Sequence, residues 1–120
     1  MKENRVYISG PVTGTKDYKE RFARVEGYLS ELGFSVVNPV KVNAGLPPDA
    51  SWEEYMAVSM TLLSFCGNIY MMDGWKESRG AVQEYIRAKN CGIAVWDCES
   101  LEILLRRDTG VKQGRKGVEV

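Results

Sequence analysis

Residues 68–96 read NIYMMDGWKESRGAVQEYIRAKNCGIAVW, and the periodicity of this stretch decides the fold. NIYMM (68–72) and GIAVW (92–96) are short apolar runs rich in strand-forming residues. Between them, residues 79–89 carry helical spacing, with Ala81, Val82, Tyr85 and Ile86 as the expected buried face and Ser78 as the expected N-cap. A strand, a helix and a second strand in so short a span predict parallel pairing, because only a crossover helix returns the chain to the same end of a sheet.

The rest of the chain repeats this unit. RVYIS (5–9) reads as a first strand stopped by Gly10 and Pro11. Residues 17–32 place Tyr18, Phe22, Val25, Leu29 and Leu32 on one helical stripe, and Gly33 stands where a C-terminal cap belongs. FSVVN (34–38) reads as the second strand, closed by Pro39, and residues 40–50, with Gly45, Pro47 and Pro48, read as a loop. Ser51 with Glu54 forms a capping box for a helix over about residues 52–65. A last helix is expected over about residues 99–107. The fold class is therefore α/β, a parallel sheet of four to five strands with helices on both faces. Residues 1–108 make one domain, and 109–120, rich in glycine and poor in apolar residues, read as a flexible tail. No internal repeat is visible.

Bulk composition narrows the function classes. The 120 residues are 44% apolar and 27% charged, which suits one soluble globular domain. The formal net charge is zero, so nothing points to nucleic acid or an acidic membrane surface. No apolar run approaches the length of a membrane span, and MKENRVYISG has too short an apolar stretch for a signal peptide. Three cysteines, Cys66, Cys91 and Cys98, lack metal-type pairing and fit reduced thiols in the cytoplasm. The absence of histidine removes the usual activator of a nucleophile and the commonest zinc ligand, and leaves carboxylates, Tyr or a thiol to do any chemistry.

Ligands of parallel sheets bind beyond the carboxyl ends of the strands, where strand order reverses. Two segments leave strand ends there. SGPVTG (9–14) offers the hydroxyls of Ser9 and Thr13, the stiffening Pro11, and Gly10 and Gly14, which let backbone approach a ligand; taken alone, such a turn reads as a plain chain reversal. DGWKESRGA (73–81) ends on a helix start where Ser78, Arg79 and Gly80 favour an anion. Glu84 lies six residues past Ser78, roughly 9 Å along a helix axis, a length one nucleotide spans between phosphate and anomeric carbon. The alternative for Glu84 is a rim charge paired with Arg87 or Lys89. Tyr7 alternates with Val6 and Ile8 and is expected on the opposite side of the sheet, as a core aromatic or a site hydroxyl. Trp52, Trp75 and Trp96 read as packing residues, with Trp75 also placed to stack on a base.

VYISGPVTG, LGFSVVNPV, SWEEYM and GWKESRGAVQEYIRAK together resemble the nucleoside 2-deoxyribosyltransferase-like superfamily, and most closely its small phage and prophage branch, over about residues 4–96. The resemblance implies a Rossmann-like or flavodoxin-like three-layer sandwich, a homodimer or higher homo-oligomer, and cleavage of the N-glycosidic bond of a nucleoside or nucleoside monophosphate without metal or cofactor. It implies Glu84 as nucleophile, Tyr7 as its orienting group, Ser78 as the 5′-phosphate contact, and Gly10, Pro11 and Gly14 as lining of the sugar-phosphate site. Two positions depart from the superfamily pattern. Ser59 stands where an Asp near the leaving base is usual, and Gly67 where a second Asp commonly begins the third strand. Serine supplies no general acid or base near neutral pH, and Asp73 is the nearest candidate substitute. A catalytically silent nucleotide-binding module and an oligomeric accessory protein are the alternative expectations.

Overall fold

The computed structural model describes residues 2–102. The expected tail over 109–120 and the end of the last expected helix lie outside the described residues. Four strands, β1 (Arg5–Ser9), β2 (Ser35–Val37), β3 (Asn68–Met71) and β4 (Ala94–Trp96), form one all-parallel sheet in the order β2-β1-β3-β4. Tyr7 pairs with Val37 on one side and Ile69 on the other, and Ser9 pairs with Met71. The helices are α1 (Tyr18–Glu31), α2 (Pro39–Asn43), α3 (Trp52–Ser64) and α4 (Arg79–Asn90). Among the described residues no helix is long and apolar enough to cross a membrane.

The layers follow from strand alternation. On one face Val6 and Ile8 of β1 and Tyr70 and Met72 pack against Phe22 and Leu29 of α1, with Leu101 added from residues 98–102, which are helical. On the other face Tyr7, Ile69 and Met71 pack against Leu63 and Cys66 from the end of α3 and against Ala81 and Ala88 of α4. Tyr7 thus points away from Val6 and Ile8, as period-two geometry requires. The result is an α/β sandwich of the Rossmann-like or flavodoxin-like kind, with helices on both faces of the sheet. The chain leaves β1 for β2 on one side and returns to β3 on the other, so the topological switch point lies between β1 and β3 at their carboxyl ends.

Local signals set the helix ends. At Ser51 both halves of the capping box form: Ser51 Oγ accepts from the Glu54 amide at 3.0 Å, and Glu54 Oε1 accepts from the Ser51 amide at 2.7 Å. Residues 39–43, expected as loop, are instead helix α2. Asn38 Oδ1 accepts from the Val40 amide at 3.0 Å, and Pro39 at the first helical position has its φ preset and no amide to satisfy. Within α4 the expected buried face is displaced. Ala81 and Ala88 are buried, but the residue between them is Glu84, only 6% exposed, while Ile86 is 45% exposed.

Gly67 has a packing reason. A Cβ there would lie 2.8 Å from the Lys2 carbonyl oxygen and 3.1 Å from Glu3 Cα, both backbone atoms of the turn Lys2–Asn4. A side chain at position 67, an Asp included, would force this backbone to shift. Gly27 in α1 has open space around the same atom. Gly67→Ala is expected to cost about 1–3 kcal/mol of stability. Gly27→Ala is expected to gain about 0.5–1 kcal/mol from helix propensity. Urea denaturation of the two variants beside the parent chain checks both signs.

Candidate functional site

The site begins with two side chains of β1. Tyr7 and Ser9 are two residues apart, so both project from the sheet face covered by α3 and α4. Glu84 meets them from α4. Tyr7 Oη donates to Glu84 Oε2 at 2.6 Å, and Ser9 Oγ donates to Oε1 at 2.6 Å. These lie at the short end for a hydroxyl donating to a carboxyl oxygen. Ala81 and Ala88, one turn to either side, are small enough to let α4 lie close to the strands, so a side chain of glutamate length spans the gap. The alternative reading of Glu84 as a rim charge is set aside: it is buried, and the one ion pair among the described residues is Lys41–Glu26, elsewhere.

Burying a carboxylate without a counter-cation has an electrostatic signature. Loss of hydration raises the Glu84 pKa above the ordinary carboxylate value, and the hydrogen bonds from Ser9 and Tyr7 pull it part of the way back. Burial, and then the neighbouring Glu84 charge, hold the Tyr7 phenol well above its usual value, so Tyr7 stays a donor. The Ser59 hydroxyl, buried in α3, opposes that rise. A thiol nucleophile finds no support at Cys66, which is fully buried and pushed up to about 11.

The second half of the site is the start of α4. Ser78 is the N-cap, as expected, with Oγ accepting from the Ala81 amide at 3.3 Å. This uses a lone pair and leaves the hydroxyl proton for a ligand. The amides of Arg79 and Gly80 are first-turn donors with no intrahelical acceptor. Arg79 lays its guanidinium over the ring of Trp52, the first residue of α3, at 3.7 Å from the ring centroid. Stacking restrains the cation while leaving its N–H edge for an anion. Gly80 makes room for Met56, whose Sδ would lie 3.3 Å from a Cβ at that position.

The loops after β1 and β3 are latched together beside these groups. Arg21 of α1 donates to the Asp73 carbonyl at 3.2 Å, and Pro11 packs against Gly74. Gly10 lies under Met72, where a Cβ would approach Met72 Cβ to 2.8 Å, so only glycine allows this closeness. Gly14 stands further out in the exposed part of the same loop. Trp75 packs against Tyr85, with ring centroids 4.7 Å apart, so one of its faces is already covered. The side chain of Asp73 is exposed at the end of β3 and is not one of the groups bonded to Glu84.

The structure therefore joins Tyr7, Ser9 and Glu84 directly, and sets Ser78, Arg79 and Gly80 at the head of the helix that carries Glu84. Three contributions were not read from the sequence: Ser9 as a partner of Glu84, Trp52 as the platform of Arg79, and Arg21 as a latch. The first had a signal, since Tyr7 and Ser9 must share a face. The other two join residues from different helices and loops, and no local spacing reports them.

The raised pKa has a thermodynamic consequence. Below the unfolded-chain value of about 4.3 both states hold the Glu84 proton. Between that value and the higher folded one, the folded protein holds a proton the unfolded chain has lost, so stability falls as pH rises through this window. Glu84→Gln keeps the shape and removes the charge. The stability of this variant relative to the parent is expected to improve as pH rises from 4 to 8. Urea midpoints across that range check this, and a difference that stays flat with pH would contradict it.

A family profile described as Domain of unknown function (DUF4406) matches residues 4–97. No curated protein matches the chain, and no solved structure does. The matched span runs from the turn before β1 through β4 and takes in every element of the sheet and every residue of the site. On the strength of that match the chain belongs to the DUF4406 family.

Proposed function

We propose that the chain is an N-glycosidase or 2-deoxyribosyltransferase acting on a nucleoside monophosphate or nucleoside, with Glu84 as the nucleophile. The observation that carries this reading is the buried carboxylate at the switch point, held by Tyr7 and Ser9 with no ion pair to a cation among the described residues. Such an arrangement lowers stability and is retained where the charge has work to do. Support also comes from the resemblance of the site segments to nucleoside 2-deoxyribosyltransferase-like proteins.

The chemistry follows from these groups. One oxygen of Glu84 attacks the anomeric carbon as the bond from that carbon to the base nitrogen breaks, and the base leaves with the bonding electron pair. Positive charge develops on the sugar in the transition state, and the carboxylate next to it is the stabilising group. The base takes a proton from solvent. Water then attacks the same carbon, releases the Glu84 carboxylate and yields the free sugar phosphate; a second base in place of water gives transfer. Tyr7 and Ser9 each occupy one lone pair of the carboxylate and leave others for attack. Ser78, the free amides of Arg79 and Gly80, and the Arg79 guanidinium receive the 5′-phosphate, and Gly10, Pro11 and Gly14 border the sugar. Trp75 borders the base.

Ser59 favours a second reading. It supplies no acid for the departing base, and Asp73 is the remaining candidate for that role. A nucleotide-binding module without turnover would share the phosphate seat and lack the product. Three free cysteines accord with a reducing cytoplasm, and a homodimer or higher oligomer belongs to the same proposal.

Incubation with 2′-deoxynucleoside 5′-monophosphates and chromatography for free base is the test. Base release that falls at least about a thousandfold in Glu84→Ala is expected. Ser78→Ala is expected to weaken selection of monophosphates over nucleosides by about tenfold or more. Release unaffected by Glu84→Ala would remove this residue from the mechanism. Thermal stabilisation by a nucleotide with no base released would establish the binding module instead.

A further inference from the structure

Helix α3 is apolar on more sides than the sheet covers. In its sequence, WEEYMAVSMTLLS, only Ser59 and Leu63 are buried. One flank meets α4: Trp52 lies under Arg79, Met56 packs at Gly80, and Met60 lines a cleft with Arg87. The opposite flank carries Tyr55, Val58 and Leu62, with Phe65 just past the helix end, at intervals of three, four and three residues. That is the spacing of an a/d seam, by which one helix packs along another. A helix on the surface of a domain needs one apolar stripe, and α3 has two.

The second stripe has no partner of matching length among the described residues. Tyr55, Val58 and Phe65 belong to neither core cluster, and only Leu62 reaches one. Phe65 is 52% exposed. Helix α2 touches α3 at the Asn43–Ser59 hydrogen bond, but it has five residues against the 13 of α3 and cannot cover the stripe. Leu101, next to the last described residue, is seated on the other face of the sheet, so the chain that follows starts from the far side.

The charges select an occupant. Glu53 and Glu54 stand exposed at the start of α3. At its other end Arg5 donates to the Phe65 carbonyl at 3.0 Å, and Lys2 lines the cleft beside Ser64, with Glu3 the one acid between these two cations. None of these groups is in an ion pair among the described residues. An acidic start and a basic end cannot meet along one helix. They meet when a second α3 lies antiparallel on the first, an arrangement that also opposes the two helix dipoles.

We propose that the stripe Tyr55, Val58, Leu62 and Phe65 is a two-fold interface, occupied by α3 of a second copy of this chain. An axis level with Met60 sets Tyr55 across from Phe65 of the second copy and Val58 across from its Leu62, so each side is the complement of itself, as an isologous contact requires. The pairing rests on the oligomer proposed above and gives it a surface; no step of the nucleotide chemistry enters.

The test is the solution mass of the full chain, by sedimentation, beside Val58→Glu, Phe65→Glu, Ile86→Glu and the double variant Tyr55→Lys/Phe65→Glu, with circular dichroism to check folding. The parent is expected at twice 13.5 kDa or a multiple of that. Val58→Glu and Phe65→Glu are expected to raise the dissociation constant at least about tenfold. Ile86→Glu, on the exposed side of α4, is expected to leave it unchanged. The double variant is expected to recover part of what Phe65→Glu loses, because its opposite charges face each other across the axis, whereas within one chain they stand about 15 Å apart. A monomeric parent overturns the surface and the oligomer together. An oligomeric parent whose affinity Phe65→Glu leaves unchanged overturns the surface alone, and a double variant weaker than Phe65→Glu overturns the antiparallel register. Should Val58→Glu fail to fold, Phe65→Glu decides, since that side chain is half exposed in the single chain. Base release is not the readout, so failure here leaves the role of Glu84 standing.

Discussion

The structure depends on one costly interaction, a carboxylate buried against the central strands and paired, among the described residues, with two hydroxyls and no cation. Glu84 occupies the position on α4 where an aliphatic residue would serve packing better, between Ala81 and Ala88 and facing the strands. Two uncharged donors at 2.6 Å satisfy both of its oxygens, but the pKa remains raised because they do not restore full hydration. The tension places a desolvated anion, in fixed orientation, at the carboxyl end of a parallel sheet. Such a group is of little use to stability alone.

The topology explains why the carboxylate is found there. Strand order reverses between β1 and β3, so the chain diverges to opposite faces at that point and leaves the strand ends uncovered by a crossover. β1 contributes two hydroxyls from one face, and the helix after β3 contributes the acid from the same face. Its own N-terminus, capped by Ser78, carries free amides and the stacked Arg79 about two turns away. The start of α4 and the carboxylate lie on one rigid element, so no loop sets their separation.

Much of this was legible in the residues. The alternation of apolar runs with helical stripes gave the parallel sheet, and the capping box at Ser51 and the cap at Ser78 set two helix starts where they are observed. The spacing of Ser78 and Glu84 predicted their placement on one helix. The centre of the α4 face escaped because the expected stripe of Ala81, Val82, Tyr85 and Ile86 leaves Glu84 at its edge. Its burial depends on Tyr7 and Ser9, more than seventy positions away. Helix α2 escaped because Pro39 was taken as a terminator, whereas an asparagine cap before it makes proline a starter. Gly67 looked like the loss of a functional acid, and the structure shows a backbone crossing that admits no side chain.

The central claim is that Glu84 bonds to the sugar. It is tested most directly by incubating the chain with a 2′-fluoro-substituted deoxynucleoside monophosphate, which slows the second step more than the first, and measuring mass after tryptic digestion. The account predicts one added sugar phosphate on the peptide Gly80–Arg87, where Glu84 is the sole carboxylate side chain. An analogue that raises the melting temperature yet leaves that peptide unlabelled, or labels another, would contradict it.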